Sequence, residues 1–133
     1  MIYNPKTADP AAVNAIRNRQ IVTVAQGYTK CAASIVNEHS IITADAGVWR
    51  AAKQYNINVL DITPGYIELQ GFECGFIGGA SFKLNEHMIA FTGTLDKHPD
   101  KDRILAFLAK HSQEPVFLTR DPVFDIGGAI ALP

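Results

Sequence analysis

"GYTKCAASIVNEHSII" (27–42) lies over "GFIGGASFKLNEHMIA" (75–90) without a gap. Gly27 meets Gly75, Tyr28 meets Phe76, Ala32 meets Ala80, and Asn-Glu-His falls on Asn-Glu-His. Agreement at one offset, 48 residues, marks a repeated supersecondary unit. Short β-branched runs flank the tripeptide, as in "AASIV" and "SIITA" of the first copy, so each copy reads as a hairpin. Asn tolerates the backbone angles of a tight tip, and the two charged residues face water. The competing reading makes His39 and His87 two ligands of one metal. That requires the hairpins to converge, whereas repeat symmetry spreads them apart.

Each hairpin leads into a helix and a further strand. In "DAGVWRAAKQY", Asp45 is an N-cap candidate, with Val48, Ala51, Ala52 and Tyr55 at helical spacing; "INVLDI" follows as a buried strand. The second copy offers "PDKDRILAFLAKH", a helix opened by Pro99, and the strand "PVFLT". The expected unit is β-β-α-β. Residues 8–26 read as the helix and last strand of a preceding copy, with a helix over 10–19. "FDIGGAIAL" (124–132) reads as the first strand of a following one. The single domain thus divides into an incomplete unit at about 1–26, units at 27–62 and 75–119, and an incomplete unit at 120–133. At this period 133 residues hold about 2.8 units.

Bulk properties exclude several classes. A formal charge of −1 gives no electrostatic grip on nucleic acid or an anionic membrane. Apolar residues make up 47% and charged ones 19%, an ordinary globular balance. Two cysteines are too few for a disulfide framework. No signal sequence or membrane span is read, so a cytoplasmic location is expected.

The repeated unit resembles the pentein fold, the five-bladed α/β propeller of the guanidine-modifying enzymes, with dimethylarginine hydrolase, arginine deiminase and the amidinotransferases. "PGYIELQGF" (64–72) looks like the segment that presents the family's catalytic histidine, "LNEHMIAFTG" (84–93) like the following hairpin, and "FDIGGAIALP" (124–133) like the segment leading to the nucleophilic cysteine. The likeness covers the carboxyl-terminal half of such a protein and is nearest to bacterial members without an assigned reaction. It implies hydrolase or transferase chemistry on a guanidino or amidino compound, if the chain is an enzyme. The matching positions do not carry that chemistry: the nucleophile's place falls at or beside Ile130, with no cysteine within 55 residues, and the histidine's falls on Ile67 or Glu68. A thiolate to attack carbon and an imidazole to move protons are both missing there.

Three functional readings follow. The first is a pentein-like domain without the thiol mechanism that binds a small cationic or amino-acid-like ligand or runs other chemistry. The second is an assembly module that completes a propeller by pairing, as a dimer or with a missing amino-terminal half, through apolar positions such as Val13, Ile16, Ile130 and Leu132. The third is a hydrolase using Cys31 or Cys74 in a displaced site, with Glu68 a further catalytic candidate. Lys30 beside Cys31 could lower its pKa, and Glu73 beside Cys74 opposes thiolate formation. Asp61, Glu68 and Asp125 stand at strand ends, where penteins line a central channel. With Gly78 and Gly79, whose amides could approach an anion, they form the expected ligand-facing set. Asp96, Lys97, His98 and Asp100 share a loop that reads as capping and solvated charge; Trp49 reads as packing. His39, His87, His98 and His111 lie on separate elements, so no metal is expected. No cofactor is expected either, since "GFECGFIGGAS" (71–81) lacks the Lys-Ser/Thr ending of a phosphate loop.

Overall fold

The computed structural model describes residues 2–15, 21–25 and 27–132. It is a mixed α/β structure of several small sheets and four helices. The first sheet pairs β1 (Ile2–Tyr3) with β2 (Val22–Thr23) in parallel, with α1 (Pro10–Ala15) between them in sequence. After a single helical turn, α2 (Thr29–Ala32), come β3 (Ala33–Asn37), β4 (Ser40–Thr43), α3 (Ala46–Gln54) and β5 (Asn58–Asp61). β4 is the middle strand, antiparallel to β3 and parallel to β5. The third sheet repeats this order and sense with β6 (Ser81–Lys83), β7 (Met88–Phe91) and β8 (Glu114–Phe117), and α4 (Lys101–Lys110) joins its last two strands. Among the described residues no closed propeller forms.

The hairpin registers match across the 48-residue offset, and the third strands pair in the same way at an offset of 56. Ala33 opposes Thr43, as Ser81 opposes Phe91; Ile41 lies beside Val59, as Ile89 lies beside Pro115. The tripeptide acts identically in both hairpins. The Asn37 side-chain carbonyl accepts the His39 N–H at 2.9 Å, and that of Asn85 accepts the His87 N–H at 2.9 Å. Asn-Glu-His is thus a self-bonded Asx turn, which explains why Asn leads it. Each histidine's carbonyl then receives the first N–H of the third strand, from Asn58 at 2.8 Å and from Glu114 at 2.7 Å.

Buried apolar side chains form two clusters on opposite faces of the middle sheet. Ile41 packs with Val48 and Ala52 of α3. Its neighbour Ile42 faces the other way, into a core holding Ile89, Phe91, and Ile104 and Leu108 of α4. This alternation is the period-two geometry of a strand covered on both faces. Asp45 caps α3 as expected, accepting the Val48 N–H at 2.8 Å.

Several local expectations change. Pro99 lies outside α4, and the Asp100 carboxylate makes no cap bond to that helix. Ala32, expected to open the first hairpin strand, ends a helical turn over residues 29–32 instead, in which Tyr28 O accepts its N–H at 2.9 Å. The helix expected over 10–19 runs from Pro10 to Ala15, and residues 16–19, Ile16 included, lie outside the described residues. The segment 124–132 is not a strand; only Phe124 bridges, to Glu68. β1 was absent from the sequence reading, since two residues leave no periodicity to read. No helix of the described residues is long and apolar enough to cross a membrane.

Candidate functional site

β3 and β6, the first strands of the two larger sheets, lie side by side. The hydroxyls of Ser34 and Ser81 hydrogen-bond at 2.7 Å, and Lys83 Nζ donates to Val36 O at 3.2 Å. Glycine permits the approach: a Cβ on Gly78 would stand 2.5 Å from Lys30 O and closer still to Ala33 O. The carboxyl-terminal segment joins them, as Gly79 N donates to Cys31 O at 3.2 Å, Ile126 N to Gly79 O at 3.1 Å, and Cys31 Sγ to Gly127 O at 3.3 Å. Residues 31, 79 and 127 are spaced by 48 positions and meet at one place.

Beside that meeting point is a groove of about 180 Å³. Lys30, Ala33 and Ile35 line it from one side, Ser81, Phe82 and Lys83 from another, and Ala129 and Ile130 from the terminal segment. Such a volume is below the usual range for drug-sized ligands and suits a small one. The lining is mostly apolar, with two ammonium groups. Lys83 Nζ is held by Val36 O, Glu86 O and Gln113 Oε1, so its three donors are occupied, and burial lowers its pKa against the opposing pull of Glu86. Lys30 Nζ donates only to Gly78 O, at 3.3 Å, among the described residues.

The expected site residues divide. Cys31, Gly78, Gly79 and Asp125 are brought together. Asp125 accepts the Phe76 N–H at 2.9 Å and the Gly127 N–H at 2.7 Å, and a Cβ on Gly79 would collide with its carboxylate. Gly79 therefore makes room for a carboxylate that anchors the backbone. Asp61 and Glu68 are elsewhere: Asp61 O accepts from Arg103 at 3.0 Å, and the Glu68 backbone pairs with Val123 and Asp125. None of the three acids lines the groove. Both cysteines are free thiols. Burial, then Asp125, push the Cys31 thiol up in pKa against the pull of Lys30, which works against a thiolate there. Among the described residues no three His, Cys, Asp or Glu side chains gather where they could hold a metal. The sequence reading missed Lys30 and Lys83 as lining residues. The 48-residue register could have found Lys83, which aligns with Ile35, another residue of the groove.

A family model described as a family of unknown function (DUF6873) matches residues 1–130. The chain belongs to that family. No curated protein and no solved structure matches it.

The DUF6873 chain holds a second polar cluster, at the start of α4. His98 is only 4% exposed, its Nδ1 accepts the Asp100 N–H at 3.0 Å, and the Tyr66 ring lies 5.6 Å away. An acceptor Nδ1 requires the neutral ring. Asp100 meanwhile accepts the Thr63 N–H at 2.6 Å and pairs with Arg103, which holds its pKa down at about 2. Burial lowers the His98 pKa below its usual 6.5, with Asp100 opposing. The unfolded chain therefore takes up this proton first, so the contribution of His98 is complete above pH 6.5 and is lost as pH falls below it. Melting temperature should drop between pH 7 and pH 5, as stability falls by up to about 1.4 kcal/mol per pH unit for each such proton. Burial lowers the His111 pKa too, so that residue adds a loss of the same sign. Asp100 does not contribute in this window, because its carboxylate stays charged until far lower pH. Thermal scans of His98→Gln against the parent should show a shallower acid decline; an unchanged slope would remove His98 from this role.

Proposed function

We propose that the chain is a pentein-like domain of β-β-α-β copies meeting at a common axis, and that it holds a small amino-acid-like ligand in the groove where the copies meet. One observation carries this reading. Ala33, Ser81 and Ala129 are spaced by 48 residues, and all three line the same groove. A cavity walled by equivalent positions of successive copies is what an axial site requires. The resemblance points to the same place, since the nucleophile's position falls at Ile130, another lining residue. With isoleucine there and a Cys31 thiol raised in pKa, binding is the supported activity and a thiol reaction is not.

The test is an NMR titration with a panel of free amino acids, guanidino compounds and short aliphatic acids. Shifts should concentrate at Lys30, Ala33, Phe82 and Ile130, and Ala129→Trp, which fills the groove from the terminal segment, should abolish them. Cys31→Ser and Cys74→Ser should leave binding unchanged. Failure of the entire panel, or stoichiometric alkylation of either cysteine by a haloacetamidine, would count against the reading.

A second reading, assembly through the terminal segment, rests on a different observation. Ile126, Ile130 and Leu132, all on the terminal segment, are 51%, 81% and 88% exposed. Apolar surface of this kind drives association. A concentration-independent monomer by light scattering would dismiss it.

A further inference from the structure

Building on the ligand-binding reading, we infer that the groove selects a ligand with a negatively charged head and an aliphatic body, and that Lys30 receives the head. The lining has aliphatic and aromatic walls in Ala33, Ile35, Phe82 and Ile130, and no carboxylate. A cationic head would lie against two ammonium groups with no carboxylate in the lining, whereas an anionic head is complemented. Of the two lysines, Lys83 is occupied by three protein acceptors and acts as a tie between the sheets. Lys30 makes one long bond, to Gly78 O at 3.3 Å, and keeps donors for a ligand.

The backbone adds to this. A Cβ on Gly128 would stand 2.6 Å from Lys30 Nζ, so the terminal segment passes directly against the ammonium. The N–H groups of Gly128, Ala129 and Ile130 donate to nothing among the described residues. An exposed cation beside unpaired amides is an arrangement that holds anions. At about 180 Å³ the groove has room for about six waters, so the body is a short chain. A carboxylic acid of about five carbons fits that description.

Pentanoate, pentylamine and pentanamide have the same body and differ only in the head, so titrating all three against the full chain by NMR isolates the charge. Pentanoate should bind about tenfold tighter than pentanamide, as expected of a charge-assisted hydrogen bond. Pentylamine should bind weakest. Lys30→Met should remove the preference for pentanoate over pentanamide, and Lys30→Arg should retain it. Tightest binding by pentylamine, or a carboxylate preference that survives Lys30→Met, would overturn the inference and leave the groove as a ligand site. If the probes bind but Ala129→Trp does not block them, the groove reading fails as well.

Discussion

Gly78→Ala should destabilise the chain by about 3 kcal/mol. The new Cβ would stand 2.5 Å from Lys30 O, closer to Ala33 O, and 2.6 Å from Ala33 C. All three are backbone atoms at the entry to β3, so no rotamer change relieves the overlap; the two sheets would have to separate. Separation would break the Ser34–Ser81 contact and the Lys83 tie together. A fall of roughly 10 °C in melting temperature is expected for a chain of this length. Gly27→Ala is the control, since nothing lies within 4 Å of its Cβ position. Equal melting temperatures for the two variants would mean that β3 and β6 do not meet as described.

Asp125→Ala should cost about 2–3 kcal/mol, because it leaves the N–H groups of Phe76 and Gly127 without their charged acceptor. The loss should be felt locally first. The terminal segment hangs on this carboxylate, and backbone hydrogen exchange at Gly127 should accelerate well before the rest of the fold is affected. Asp125→Asn keeps an acceptor oxygen and should cost less. It should also lower the Cys31 pKa, since Asp125 is one of the groups that raise it, and iodoacetamide should then alkylate Cys31 faster. If Asp125→Asn leaves that rate unchanged, the carboxylate is not where the described geometry places it.

These two residues also show what the sequence disclosed. The two hairpins were legible because hairpin chemistry is local: Asn37 and Asn85 each bond within their own tripeptide, and such a signal survives without tertiary context. Asp45 was legible as a cap for the same reason. Asp125 was recognised as an acid near a strand end, but its carboxylate turned to the protein backbone instead of a ligand. That choice depends on Phe76, 49 residues away, and no local pattern reports it. Lys83 was invisible for a similar reason, as its acceptors come from β3, the second hairpin and the residues after α4. His98 read as a solvated loop residue, yet Tyr66 covers it from a segment whose own periodicity is weak. Long-range partners decide burial, and single-copy polar residues carry no periodic mark of them.

The most direct measurement of the central claim is disulfide trapping between β3 and β6. In a chain with Cys31→Ser and Cys74→Ser, the pair Ser34→Cys and Ser81→Cys places two thiols where hydroxyls stand 2.7 Å apart. That separation is close enough for an S–S bond after a small rotamer adjustment. Mild oxidation should close an intramolecular bridge in nearly every molecule, read as a two-dalton mass loss and a shifted tryptic map. Thiols that stay free, or bridges that form only between chains, would contradict the groove and every functional statement built on it.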